Sequence, residues 1–210
     1  MYKLFYSPGT ASMVIHQLLI ELKQPFELVL VDFAAGQQKS AEFLQLNPQG
    51  RVPVLVDAEV SIYESAAILL YLTEKHQALT PPPGTKARAL FLQQIAFLTN
   101  NLAPQFRLWF YSPDLGFDEY PLALKQQLQQ NIASIWQQLD DQLTSNGPYL
   151  LGDEFSAADL MLTMYMRWSR NMPTPALAWP ALKLLADASR QRPSWHQLNQ
   201  AEGLTEWQLS

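Results

Sequence analysis

Pro81-Pro82-Pro83-Gly84 is the feature that most constrains what this chain can fold into. Proline fixes φ and carries no N–H, so neither a helix nor a central strand can run through three of them. The patterning differs on the two sides. Before them, short apolar runs alternate with helical periods. Beyond them, no segment alternates like a strand. The expected organisation is therefore a first domain over residues 1–77, a semi-rigid linker over 78–86 and an all-α domain over 87–210.

Within the first part, Tyr2 to Tyr6 reads as a strand that stops at Ser7-Pro8-Gly9. Met13, Ile15, Leu18, Leu19 and Leu22 then mark one broad helical face, with Thr10 and Ser12 at the junction as N-capping hydroxyls. Phe26 to Val31 is almost wholly apolar, as a buried parallel strand would be. Strand, helix, strand in this order is a βαβ unit with a right-handed crossover. A short helical pattern covers residues 40–46. Residues 54–56 and 61–63 are too close for a crossover and so form an antiparallel hairpin. An apolar helix follows over residues 65–76. The first domain thus reads βαβ-α-ββα, an α/β fold with a mixed sheet.

In the second part, residues 87–110 carry one long helical pattern, kinked or broken near Pro104, with a polar cluster Thr99-Asn100-Asn101. Residues 111–120 form a loop. Residues 121–144 form a Gln-rich helix with apolar positions at spacings of three and four. Ser156 and Asp159 have the form of a capping box, and Phe155 with Leu160 the form of a hydrophobic staple. The helix they start, to about residue 170, is apolar enough to be the central helix of a bundle. Shorter helices are expected near residues 180–190 and 194–200.

Composition narrows the chemistry. The chain has 210 residues, long enough to bury roughly 70% of its unfolded surface without staples. Its net charge is −5 with no basic stripe, which argues against nucleic-acid binding. The absence of cysteine excludes disulfides, a Cys-x-x-Cys centre and a thiol nucleophile, and three scattered His residues do not suggest a metal site. No signal-peptide pattern and no apolar run of about 20 residues are present, so no membrane association is expected and the expected location is cytoplasmic.

Asn47-Pro48-Gln49-Gly50-Arg51-Val52-Pro53 and the Glu64-Ser65 that opens the next helix together suggest a clamp for a small peptide with carboxylates of its own. These two motifs, the Tyr6-Ser7-Pro8 strand end, the proline linker and the Ser156-x-x-Asp159 box occur in an order and spacing that resembles the glutathione S-transferase superfamily along essentially the whole chain. The resemblance is nearest to bacterial, beta-like members. Those commonly carry a cysteine in the first helical turn, and Ala11 stands in its place here. The resemblance implies a thioredoxin-like first domain, an all-α helical-bundle second domain, a homodimer, and glutathione as co-substrate without a metal.

A glutathione site must answer two carboxylates, an ammonium, a peptide backbone and a thiol. The resemblance implies a cis Val52-Pro53 bond that turns the Val52 backbone toward the cysteinyl unit. Ser65 and the helix N-terminus would take the γ-glutamyl carboxylate, and Glu64 its ammonium. The competing possibility is that Ser65 caps its helix and Glu64 complements the dipole. Lys39 and Arg51 are the cations for the glycyl carboxylate, with Gln38 and Gln49 as neutral donors. Ser12, then Thr10, would favour the thiolate, with Tyr6 as a further donor. The alternative is that Ser12 and Thr10 are caps only. Phe106, Trp109, Tyr111 and Trp168 would line the electrophile pocket.

The implied activity is a glutathione transferase that favours the thiolate and transfers it to a small hydrophobic electrophile, or uses it to reduce a peroxide, in detoxification. A non-catalytic interaction or regulatory module, and a glutathione-dependent isomerase or dehalogenase, are the alternatives.

Overall fold

Strand β1 (Tyr2–Tyr6) runs through the middle of a four-stranded sheet of order β2-β1-β3-β4. It pairs in parallel with β2 (Phe26–Leu30) and antiparallel with β3 (Val54–Asp57), which forms a hairpin with β4 (Val60–Tyr63). This computed structural model describes residues 1–208. The last two residues of the expected all-α domain, Leu209 and Ser210, lie outside the described residues. The mixed sheet and its hairpin agree with the expected βαβ-α-ββα order.

Register decides which face each side chain covers. Phe5 is opposite Val54 and shares a face with it. Both pack with Val31, Phe43, Leu46 and Val52 under α2 (Ala41–Leu46). Leu4 is opposite Leu55, and both are fully buried on the other face, where α1 (Met13–Glu21) and α3 (Ser65–His76) lie. Because side chains alternate along a strand, one residue of slip would exchange the two cores. Ser40 caps α2 through Phe43 N–H at 3.2 Å.

The second unit, Pro81–Ser189, is helical: α4 (Lys86–Phe97), α5 (Ala103–Phe110), α6 (Leu122–Asn146), α7 (Ala157–Trp168) and α8 (Pro180–Arg190). The expected break near Pro104 takes the form of a π-wound turn, Leu98–Leu102, between α4 and α5. Pro104 cannot donate to the preceding turn, and the wider turn accommodates the missing bond. Thr99 and Asn101 of the polar cluster bond back to carbonyls of Ile95 and Phe97. Residues 111–120 include a 3₁₀ turn at Ser112–Leu115.

Helix α7 is buried almost throughout. Its Asp159 accepts from Ser156 N–H (2.8 Å), Ser156 Oγ (2.9 Å) and Leu150 N–H (2.8 Å). Burial pushes its carboxyl up to about 6 against those three donors, so it is mostly ionised at neutral pH. The expected capping box is present. Asp140 of α6 caps α8 by accepting from Ala181 and Leu182 N–H.

One boundary differs from the sequence expectation. Residues Arg190–Gln208 belong to the first unit, with Met1–Thr80, and not to the all-α domain. Their helix α9 (Pro193–Glu202) packs along α1. The physical reason is polar. Arg192 grips the Glu21 carboxylate with two bonds of 2.7 and 2.8 Å, and Ser194 Oγ donates to the same carboxylate at 2.5 Å. Gln17 of α1 donates to Ser194 Oγ at 3.1 Å.

Burial pushes the Glu21 carboxyl upward, but bonds from Arg192 and Ser194 and the guanidinium charge outweigh it and hold the group below its ordinary value of 4.5. A depressed carboxyl stabilises the fold above its unfolded pKa, and that contribution is lost as pH falls through the folded value. Glu21→Gln is therefore expected to cost about 2 kcal/mol at pH 7. In denaturant titrations the gap to wild type should close as pH drops below 4.5; a constant gap contradicts the ion-pair account.

Candidate functional site

Sheet register gathers the predicted clamp at one end. Phe5 sits opposite Val54, and Val54 opposite Tyr63. The turn after β1, the Val52-Pro53 segment before β3, and Glu64-Ser65 after β4 therefore all emerge from the same sheet edge. The Val52–Pro53 bond is cis. Among the described residues, the Val52 N–H and C=O have no hydrogen-bond partner, although the side chain is buried in the cluster beneath α2.

The loop that leads to Val52 is held by Asn47, which is buried. Its Nδ2 donates to Arg51 C=O at 2.7 Å, its Oδ1 accepts from Gln49 N–H at 3.0 Å, and its carbonyl accepts from Gly50 N–H at 2.9 Å. Gly50 adopts φ +65°, and a Cβ there would lie 2.6 Å from the Gln38 carbonyl and 3.0 Å from Lys39 Nζ. Only glycine fits. The same contact places the Lys39 ammonium against the loop. Lys39 and Arg51 are both exposed, and Lys39 is the one seated beside Gly50. Gln38 Oε1 is buried without a partner.

Gln49 joins the two halves of the clamp, because its Nε2 donates to Glu64 Oε1 at 3.2 Å. Glu64 precedes α3 with φ +71° and ψ 113°, outside even the left-handed helical region. A non-glycine residue held there stores on the order of 1–3 kcal/mol of strain. Neither Glu64 nor Ser65 caps the helix with its side chain. Ser65 is the first helical residue, and among the described residues the N–H groups of Ser65, Ala66 and Ala67 have no acceptor. The capping alternative for Ser65 therefore differs from the structure. Three free N–H groups and a free hydroxyl at a helix N-terminus suit an anion.

The turn from Ser7 to Ser12 ties its hydroxyls to one another and to its own backbone. Ser12 is fully buried, and its side chain makes no capping bond to α1. Thr10 Oγ1 donates to Ser7 C=O at 2.7 Å and lies 2.9 Å from Ser12 Oγ, which is 3.1 Å from the same carbonyl. Two hydroxyl protons thus serve two internal bonds. Ser7 differs: its backbone is the anchor for the other two, yet among the described residues its own Oγ has no partner. Ala11 N–H is likewise without an acceptor. Ser7 is not among the expected donors Ser12, Thr10 and Tyr6; its signal in the sequence is its place directly after the strand. Tyr6 is half-buried, and burial, then the Glu202 charge, push its phenol upward. A proton held more tightly makes it a weaker donor to a thiolate.

The turn is fixed from behind by Glu202 of α9. Oε2 accepts from Gly9 N–H at 2.9 Å, and Oε1 lies 2.9 Å from His16 Nδ1. The His16 and Glu202 side chains are 1% and 0% exposed, so this link is fully desolvated. No sequence signal connects residues 186 positions apart.

The proposed electrophile-pocket residues all lie in the helical unit. Phe106 is 1% exposed and belongs to its aromatic core, with ring centroids 5.9 Å from Tyr165, 6.1 Å from Trp136 and 5.9 Å from Trp168. It is not available as a lining residue. Trp109 and Trp168 are half-buried, and Tyr111 is exposed with the Arg107 guanidinium 3.8 Å above its ring. Among the described residues, no group of three or more His, Cys, Asp or Glu could hold a metal ion, and no helix is long and apolar enough to cross a membrane.

Comparison with known proteins adds to this geometry. Residues 1–74 match the family model "Glutathione S-transferase, N-terminal domain", and residues 123–197 match "Glutathione S-transferase, C-terminal domain". Glutathione S-transferase GST-4.5 of Xanthomonas campestris pv. campestris is 32% identical, over 96% of this chain and 99% of that protein. The structure of a glutathione transferase from Methylococcus capsulatus is similar with a TM-score of 0.85 at 31% identity, covering 98% of this chain and 100% of that one. A sphingomonad glutathione S-transferase complexed with glutathione has a TM-score of 0.85 at 31% identity, covering 97% and 100%.

The strain at Glu64 can be isolated by truncating the side chain in two ways. Glu64→Gly should be more stable than Glu64→Ala by about 1 kcal/mol, the reverse of the usual order, because only glycine relaxes at φ +71°. Thermal melts of the two variants measure it, and the ordinary order would show that the position is unstrained.

Proposed function

The chain belongs to the glutathione S-transferase superfamily and is a glutathione transferase, and we propose that it activates the glutathione thiol with Ser7 and joins the sulfur to a small hydrophobic electrophile. The observation that carries this reading is the row of unused donors at one sheet edge: the Ser7 hydroxyl, Ala11 N–H, Val52 N–H and the first turn of α3. A buried or half-buried polar group without a partner is costly, and each of these finds one in a bound γ-glutamyl tripeptide.

In this reading the Val52 backbone pairs with the cysteinyl unit like an added strand. Pro53, which is buried, holds the Val52 peptide in place. The γ-glutamyl carboxylate lies on Ser65 and the free N–H groups of α3, and Glu64 takes the ammonium. Lys39 takes the glycyl carboxylate, with Arg51 at the loop edge. Thr10 and Ser12 become positioning residues that hold Ser7. A free thiol is mostly protonated at neutral pH, with a pKa of about 8.5, so one donated bond and a helix N-terminus shift the balance toward thiolate. The thiolate then attacks the electrophilic carbon, a C–S bond forms, and the leaving group departs with its electron pair. Because the chain has no cysteine, peroxide reduction in this site would use a second glutathione to close the reaction.

Trp109, Tyr111 and Trp168 remain the proposed electrophile contacts, without Phe106. A second copy of the chain is the proposed protein partner, with exposed side chains such as Leu90 and Leu92 available to it. A purely non-catalytic module is disfavoured, since a scaffold has no use for a strained Glu64.

Ser7→Ala should raise the pKa of bound glutathione by about one unit, worth ~1.4 kcal/mol, while leaving its affinity nearly unchanged. Ultraviolet titration of the thiolate reads this; a normal thiolate in Ser7→Ala and its loss in Ser12→Ala would return the role to Ser12. Ser65→Ala should weaken the rise in melting temperature that millimolar glutathione produces. If glutathione produces no rise in wild type, the clamp reading fails.

A further inference from the structure

Strand β2 ends the sheet, so one of its edges has no neighbouring strand among the described residues. The bonds at its two ends show which groups that edge carries. Tyr2 N–H donates to Pro25 C=O at 3.2 Å, and Val31 N–H donates to Tyr6 C=O at 2.8 Å. Main-chain groups alternate sides along a strand, so those of Pro25, Glu27, Val29 and Val31 turn toward β1. Those of Phe26, Leu28 and Leu30 turn outward, and among the described residues they have no hydrogen-bond partner.

An open edge is a template for another strand, and proteins commonly blunt it with proline, lysine or a bulge. None of these interrupts β2. Its sequence is Phe-Glu-Leu-Val-Leu, and all of it pairs with β1 in unbroken register. Its one charge, Glu27, lies 3.7 Å from Lys3 Nζ inside the same sheet. The residues with outward main-chain groups are all apolar. Leu30 is 52% exposed, and Phe33, just beyond the strand, is also exposed.

The two ends of this edge differ in shape. Phe26, Leu28 and Leu30 share one face of the sheet, the face on which α1 lies. At the Phe26 end that face opens into a cleft of about 750 Å³, with Leu19 and Ile20 of α1 beside Phe26 and Leu28. At the other end it carries the projecting Leu30. A strand with a recess at one end and a knob at the other fits a copy of itself laid antiparallel. A foreign peptide would use the same main-chain groups, but only a second copy brings the knob to the recess.

We propose that β2 pairs with β2 of a second copy of this chain about a two-fold axis through Leu28. Leu28 then faces Leu28 of the second copy, and Phe26 faces Leu30. Every outward N–H and C=O of Phe26, Leu28 and Leu30 is used, and each Leu30 enters the cleft of the other copy. The interface is isologous and extends the sheet across the axis. It uses no residue of the clamp and does not rest on the glutathione reading. It is also separate from Leu90 and Leu92 of α4, and joined to a contact there it builds assemblies larger than a pair.

The chain has no cysteine, so an introduced thiol reports on this contact alone. In the two-fold register the Leu28 Cα atoms of the two copies lie about 5.5 Å apart, within the span of a disulfide. The Leu30 Cα atoms lie about 14 Å apart, beyond it. Leu28→Cys oxidised with diamide should therefore give a covalent pair on a non-reducing gel, and Leu30→Cys about tenfold less of it. Random collision predicts the opposite order, because Leu30 is exposed and Leu28 only half-exposed. Sedimentation velocity of wild type should show an association with a Kd of about 100 µM, as a small contact allows. Leu30→Lys should abolish that association while melting like wild type and keeping its glutathione-dependent activity. The proposal is overturned if Leu30→Cys links as readily as Leu28→Cys. It is equally overturned if wild type and Leu30→Lys sediment alike at every concentration up to millimolar.

Discussion

The Glu202 carboxylate accepts from the Gly9 N–H and meets His16 Nδ1, with the His16 and Glu202 side chains out of contact with water. A carboxylate buried this completely is tolerated only when its lone pairs are used, and removing one partner leaves an uncompensated buried charge. The bond therefore works as a locator. It fixes the turn between β1 and α1 by its backbone, from a helix that arrives at the other end of the chain. The turn then fixes its own hydroxyls: Thr10 and Ser12 converge on the Ser7 carbonyl, and the Ser7 side chain is left over. The donor offered to a ligand is the residue to which the others are tied.

The same logic of a committed shell around an uncommitted group recurs in the clamp. Asn47 uses its side-chain amide and its carbonyl to hold the loop, Gly50 lets the Gln38 carbonyl and Lys39 come close, and the Val52 backbone is left without a partner. At α3, a residue in a strained conformation stands where a capping side chain would ordinarily close the helix. Strain held at a helix entrance is consistent with ligand binding, because the free N–H groups are preorganised before the ligand arrives.

Much of this was legible in the sequence, for reasons that differ by element. The parallel β2 is marked by an almost wholly apolar run, but it is a half-exposed edge strand and not the buried strand that run suggests, and the hairpin is marked by the short distance between its strands. The Ser156–Asp159 box needs only four residues to be recognised. Val52-Pro53 and Glu64-Ser65 were visible as local motifs. What was not legible was long-range or depended on proton accounting. Helix α9 is expected from its sequence, but the partner of Glu202 or Arg192 is set by a fold that spans the chain. Likewise, three hydroxyls in six residues look equivalent until the bonds among them show that Thr10 and Ser12 are already used. Phe106 carries the same helical spacing as a pocket aromatic, and only its packing against Tyr165 and Trp136 assigns it to the core.

The central claim is that the sulfur of glutathione meets Ser7. A crystal structure of the protein soaked in glutathione measures this directly. The account predicts the cysteinyl backbone on Val52, the γ-glutamyl carboxylate at Ser65, and the sulfur within hydrogen-bond distance of Ser7 Oγ, with the Thr10 and Ser12 bonds to the Ser7 carbonyl intact. A sulfur held instead by Thr10 or Ser12, with those bonds broken, would contradict it.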